Sequence, residues 1–283
     1  MRSIPLICNL ILLSSLLCGC GSGLSTANTT GSSTSAGSSI GVNGLMSGVY
    51  GGSGTRSNIT PNVNLTVVLA GFAASAGNQG IVMFFSDAVS GELGALIGSM
   101  TATSSSTFNG SILEYDAGIS SNSYTPGTSV GQLDGTFQND SFFQGYSTDL
   151  STPTLSITSM SLNFDIGTDS LPPLTELQGT WNVWDGPNAT TNTFSAVMTI
   201  NAANATQNTF QIIEGSVCGQ GTLQVLSGGV FQGTYSPAAP FPPTCNSNLA
   251  VASNSVYALV YNGYLYFLAT PGQGQALLLM GHT

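Results

Sequence analysis

Tyr257-Ala258-Leu259-Val260-Tyr261-Asn262-Gly263-Tyr264-Leu265-Tyr266-Phe267-Leu268 holds the strongest structural signal in the chain. Two runs rich in aromatic and branched residues flank Asn-Gly, the pair that best tolerates the two positive-φ positions of a type I′ hairpin turn. A two-residue loop fixes the register, setting Tyr261 opposite Tyr264, Leu259 opposite Tyr266 and Tyr257 opposite Leu268. Side chains alternate between the faces of a strand. Val256, Ala258, Val260, Leu265, Phe267 and Ala269 therefore share a face that reads as core. Tyr257, Leu259, Tyr261, Tyr264, Tyr266 and Leu268 share the other, which is amphipathic.

The same period of two extends through the rest of the sequence. Val63-Asn64-Leu65-Thr66-Val67 alternates, and Ile81-Val82-Met83-Phe84-Phe85 is a continuous apolar run suited to a strand covered on both faces. Residues 111–115, 132–137 and 155–166 follow. In the last of these the apolar phase slips between Ile157 and Met160, which predicts a β-bulge near Ser159. Residues 167–176, with Pro172-Pro173, break the pattern and read as a linker. A second series occupies 177–181, 194–200, 209–213, 222–226, 230–235, 255–261, 264–268 and 276–280. No stretch has the period of an amphipathic helix.

The expected fold is all-β, with two consecutive small antiparallel barrel or sandwich domains at 48–167 and 177–283, joined by a linker at 168–176. One large barrel or sandwich is the competing arrangement. Ser47-Gly48-Val49-Tyr50 resembles Gln178-Gly179-Thr180-Trp181, and Gly135-Thr136-Phe137 resembles Gly233-Thr234-Tyr235, as two diverged copies of one domain would.

Before the first strand, Met1 and Arg2 form a short positive region and residues 4–17 a mostly apolar one, too short for a bilayer span of about 20 residues. Leu17-Cys18-Gly19-Cys20 resembles the lipobox of bacterial lipoproteins. That resemblance implies removal of residues 1–19, lipid on Cys20 and attachment to the membrane through it. Gly21, in place of the Asp that retains enteric lipoproteins at the inner membrane, implies an outer-membrane address. Residues 20–47 are then a Gly/Ser/Thr-rich tether spanning about 25–30 Å as a flexible coil.

Composition excludes several classes of function. The chain has no Lys; once Arg2 leaves with the signal, Arg56 alone faces twelve carboxylates, a formal charge of −11. Nucleic-acid binding needs clustered cations against phosphates, and so does an electrostatic grip on anionic lipid. With only 5% charged residues, Ser, Thr, Asn, Gln and Gly must solvate the surface. Of the five cysteines, Cys8 and Cys18 lie in the signal and Cys20 takes lipid, which leaves Cys218 and Cys245 to pair in an oxidising compartment.

From Gly48 to Gly281 the chain resembles a loose group of uncharacterised proteobacterial lipoproteins with two β-rich halves. The residues that carry the likeness are Phe108-Asn109-Gly110 with Tyr115, residues 131–137, Leu177-Gln178-Gly179-Thr180-Trp181, and Cys218 with Cys245. It implies an architecture and an address, and no catalytic site. Gly179-Thr180-Trp181 also resembles the Gly-x-Trp that opens lipocalin-like barrels, which implies a closed barrel around a ligand cavity.

Catalytic chemistry finds little purchase. The single histidine, His282, is the penultimate residue, where chain ends usually fray. Gly51-Gly52-Ser53-Gly54 lacks the Lys of a phosphate loop. Glu114 and Asp116 would share a strand face at about 6–7 Å, a spacing open to glycoside hydrolysis, but a solvated outer face is the favoured account of them. Asn163, Asp165, the Gly167 carbonyl and Asp169 place oxygens at alternate positions, as calcium ligands sometimes are, but the polar face of a strand entering a loop is the favoured account. No metal and no cofactor is expected, and no enzymatic activity. The expected role is a non-enzymatic binding or surface-presentation module, with periplasmic assembly as the alternative. The tyrosines Tyr257, Tyr261, Tyr264 and Tyr266 form the one candidate face for a glycan, peptide or protein ligand, with packing against the other domain as its competing use.

Overall fold

The computed structural model describes residues 48–57, 62–75, 78–87, 93–103, 107–116, 129–138, 141–150, 156–165, 174–184, 195–227, 229–250, 253–270 and 276–283. The expected signal peptide, Cys20 and the tether lie outside the described residues.

Among the described residues, sixteen strands form two closed barrels of eight, each antiparallel throughout. The first contains β1 (Val49–Arg56), β2 (Val63–Ser75), β3 (Asn78–Ser86), β4 (Leu93–Ala102), β5 (Thr107–Asp116), β6 (Ser129–Gln138), β7 (Phe142–Asp149) and β8 (Ile157–Phe164). The second contains β9 (Gly179–Trp184), β10 (Ser195–Asn204), β11 (Gln207–Glu214), β12 (Ser216–Ser227), β13 (Val230–Pro237), β14 (Ser253–Tyr261), β15 (Tyr264–Thr270) and β16 (Leu277–His282). Each strand pairs with its sequence neighbours, and β1 closes on β8 as β9 closes on β16. Closure satisfies every strand edge. The all-β expectation holds in its two-barrel form.

Local chemistry fixes the registers. Asn262 and Gly263 take φ of 50° and 75°, and β14 pairs with β15 through Tyr261–Tyr264, Leu259–Tyr266 and Tyr257–Leu268, as a two-residue loop requires. The phase slip in β8 is also a real bulge. Gly145 faces Met160 but Ser147 faces Ile157, so β8 carries one extra residue there, which turns Ile157, Met160 and Leu162 all inward.

Each barrel is filled by inward side chains, among them Tyr50, Met83, Phe85 and Phe143 in the first and Trp181, Phe210, Phe231 and Phe267 in the second. Arg56, the lone basic residue after Arg2, is 1% exposed, with its guanidinium carbon 4.8 Å from the centre of the Phe85 ring. The pairing registers bring the buried Asp87 and Asp149 to the same end of that barrel.

The resemblance between the barrel openings corresponds to equivalent positions. Gly48 and Gly179 both precede the first strand's inward aromatic with positive φ, and Tyr50 and Trp181 both point into their cores. The second resemblance does not. Gly135-Thr136-Phe137 lies in the sixth strand of its barrel and Gly233-Thr234-Tyr235 in the fifth, so it reflects how a small residue and a buried ring pack, and not a repeat.

A third apolar cluster joins the barrels, which belong to one compact unit. Val68, Phe72 and Phe84 from the outer face of β2 and β3 meet Leu259, Tyr266 and Leu268 from β14 and β15. Phe72 packs on Tyr257 with ring centres 5.8 Å apart, and Phe84 on Tyr266 at 5.4 Å. The continuous apolar run of β3 follows from this: Ile81, Met83 and Phe85 fill the barrel while Val82 and Phe84 fill the seam. Gly51 of β1 has no side chain because the Tyr261 ring lies where its Cβ would be.

Gly51→Val should therefore overpack the seam and cost about 1–3 kcal/mol in urea unfolding. The loss should shrink in a Tyr261→Ala background, where the ring no longer competes for the space; equal losses in both backgrounds would dissociate Gly51 from that ring.

Candidate binding surface

A chain segment packs against the core at each end of the second barrel. At one end the short helix α1 (Leu174–Leu177) inserts Leu174 and Leu177 into the core, so the expected linker contributes part of the barrel floor. Trp181 Nε1 donates to the Leu177 carbonyl at 2.8 Å, and the buried Asn208 Nδ2 donates to the Leu174 carbonyl at 2.7 Å. At the other end the connection from β13 to β14 folds across the opening through a 3-10 turn, Ser247–Ala250, which buries Leu249. The Tyr235 hydroxyl donates to the Leu249 carbonyl at 2.7 Å, and burial pushes its pKa well above the ordinary tyrosine range, so it remains a donor. Asn246 N donates to Glu214 Oε2 at 2.6 Å. Cys218 and Cys245 are joined by a disulfide with Cα atoms 5.6 Å apart. Across 27 residues such a link stabilises by about 3–4 kcal/mol in the chain-entropy model.

Side chains from all eight strands and α1 fill what lies between. The closed barrel implied by Gly179-Thr180-Trp181 is present, and its core is occupied by protein where a lipocalin-like ligand would sit.

The tyrosine face needs correction as a ligand surface. Tyr266 is 3% exposed and Tyr257 and Tyr261 are half-buried, because the first barrel covers them. A mostly apolar face with polar tips lowers its free energy most by meeting another apolar face, and β1–β4 provide one. Burial, with Tyr261 and Tyr264 nearby, pushes the Tyr266 pKa far above its ordinary value. Burial and Asp165 raise that of Tyr261, partly offset by its hydrogen bond with Asn262. Only Tyr264, at 39%, stays outside.

Tyr264 belongs instead to an exposed aromatic ledge. His282 sits in β16, paired with Tyr264 and Asn182, so the penultimate residue is held in the barrel wall and does not fray. Its ring lies 5.4 Å from Trp184 and 6.2 Å from Tyr264, edge-on to both.

The other candidates gain no support. Glu114 and Asp116 lie on β5 opposite Leu96 and Gly94, and the orientation of their side chains is not described. Asn163 is exposed, the Asp165 amide donates to the Val49 carbonyl at 2.9 Å, and Gly167 and Asp169 lie outside the described residues. Among the described residues no three metal-binding side chains come together.

A shallow, open cleft of about 540 Å³ lies on the outer wall of β10–β13. Two cross-strand rows line it. Asn201, Thr209, Thr222 and Thr234 stand side by side in register, and Gln211, Gln220 and Ser236 form the next row. Thr222 and Thr234 hydroxyls are 3.2 Å apart. In β12, Gly219 and Gly221 face inward, and the stacked rings of Tyr235 and Phe210 occupy the space their Cβ atoms would take. Beneath the cleft the Phe210 ring is buried in the core, so the cleft is lined by polar side chains and by backbone. The sequence contains the alternation Gln220-Gly221-Thr222 and Thr234-Tyr235-Ser236, but only the register unites the polar positions into a surface.

No protein-family model matches this chain, and no curated protein matches it. Among solved structures it is similar to Aeromonas veronii immune modulator A, with 13% identity, a TM-score of 0.36, and coverage of 84% of this chain and 94% of that one. It is also similar to a provisionally assigned outer membrane protein from Bacteroides fragilis, with 12% identity, a TM-score of 0.27, and coverage of 84% and 98%. Neither likeness is close enough to carry a function across.

The raised tyrosine pKa values give a signed pH dependence. The folded state holds the Tyr266 proton more tightly than the unfolded state, whose pKa is about 10. Stability linked to Tyr266 is thus complete below pH about 10 and falls as pH rises beyond it. Tyr266→Phe keeps the ring against Phe84 and should lose stability less steeply above pH about 10 in urea melts; a parallel decline would mean that Tyr266 ionises freely.

Proposed function

We propose that this chain is a lipid-anchored cell-envelope protein that binds or presents through the outside of a rigid double barrel and catalyses no reaction. One observation carries the reading. The inward faces of the strands build two cores, the amphipathic hairpin face is taken up by the seam, and a concave part of the outward surface among the described residues is lined wholly by neutral side chains and backbone. General acid-base or nucleophilic chemistry needs a titratable group at the site, and the cleft lining has none. Leu17-Cys18-Gly19-Cys20 supports attachment through Cys20, and the glycine-rich tether would hold the barrels clear of the headgroups. The burial of Arg56 supports a surface without grip on nucleic acid, since no other basic residue follows Arg2.

Metabolic labelling with an alkyne fatty acid tests the anchor. The full chain should take up label and Cys20→Ser should not; equal labelling of both, or of neither, overturns it. Protease treatment of intact cells carrying a tagged copy then tests the side of the membrane. Degradation is expected for surface presentation, whereas protection until permeabilisation would replace that reading with periplasmic assembly.

A further inference from the structure

We propose that the cleft over β10–β13 is a binding site for an uncharged glycan chain lying along its two polar rows. The inference rests on the binding-module reading and goes beyond it in naming the site and the ligand class.

The lining selects the class. Thr, Ser, Asn and Gln each supply both donors and acceptors, as sugar hydroxyls do, so either partner can satisfy the other without a charge. Asn201, Thr209, Thr222 and Thr234 stand on four adjacent strands, about 4.8 Å apart in the pairing direction, and the second row lies two residues along, at about 6.7 Å. Linked sugar rings are of comparable length to the first interval, so successive units can address successive strands. The volume of about 540 Å³ lies within the range of small-ligand sites and suits a short run of sugar units in an open cleft.

Charge excludes the neighbouring classes. An anionic glycan would find no cation in the lining and would approach a chain whose residues from Cys20 onward carry −11. A cationic one would find no carboxylate there. An extended peptide would add to a free strand edge, and β10–β13 are paired on both sides within the closed barrel. None of the lining residues belongs to the seam, which β12 and β13 join only through Leu226 and Val230 at their other end.

The test uses the full acylated chain in a detergent without a sugar headgroup, titrated calorimetrically with maltohexaose, cellohexaose and chitohexaose. Heparin and polygalacturonate hexasaccharides serve as charged probes. At least one neutral hexasaccharide should bind, with an affinity insensitive to salt. Gln220→Ala combined with Thr222→Val should weaken it about tenfold or more, with the unfolding transition unchanged. Absence of binding by all three neutral probes overturns the proposal, as does binding by the charged probes alone or undiminished binding by the variant. Loss of binding in Trp184→Ala with the cleft variant unaffected would move the site to the aromatic ledge and equally overturn it. Fatty-acid labelling of Cys20 is read separately, so a failed anchor and a failed glycan site are distinct results.

Discussion

The contact of the Tyr261 ring with the bare backbone of Gly51 sets how close the two barrels can come. With a side chain at position 51 the ring would have to move, and the neighbouring pairs Phe72–Tyr257 and Phe84–Tyr266 would lose their spacing. Apolar area removed from water contributes about 25 cal/mol per Å², and ring pairs add about 0.5–1.5 kcal/mol each beyond that. A seam of this kind converts two small barrels, each with a high surface-to-volume ratio, into one unit with a third core. It also buries Tyr266 and half-buries Tyr257 and Tyr261.

The rest of the surface follows from the scarcity of charge. The lone arginine after residue 2 is spent inside the first barrel, so the walls are solvated by hydroxyls and amides. Such walls recognise by hydrogen-bond pattern and shape, since they carry few charges with which to pair a charged ligand. The plugs act in the same direction. With α1 at one end of the second barrel and a disulfide-tied turn at the other, its interior is a fixed core and the wall over it is a firm platform.

Much of the architecture was legible because local chemistry and the period of two agreed. The Asn262-Gly263 turn dictated its own register, the β8 phase slip dictated its own bulge, and every strand of the second barrel carried enough alternation to be seen. Three strands of the first barrel lack such a signal, β1, β4 and β7, the first because Gly51, Gly52 and Gly54 leave it few side chains to alternate. β4 reads as small residues with apolar ones on both faces, since its outer side enters the seam, and β7 turns Gly145, Ser147 and Asp149 inward beside Phe143, which hides its phase. The role of the tyrosines was ambiguous for a physical reason: an amphipathic aromatic face looks the same whether its partner is a ligand or another part of the chain. Leu174 was assigned to a linker because a single helical turn has no period to detect. The cleft was invisible because its seven polar side chains come from four strands and no sequence signal reports their cross-strand register.

Differential scanning calorimetry of the disulfide-intact protein tests most directly whether the seam makes the barrels one structure. A single transition whose calorimetric and van't Hoff enthalpies agree is the result this account predicts. Two resolved transitions, or a van't Hoff enthalpy about half the calorimetric value, would mean that the barrels unfold independently and that the tyrosine face is not committed to the seam.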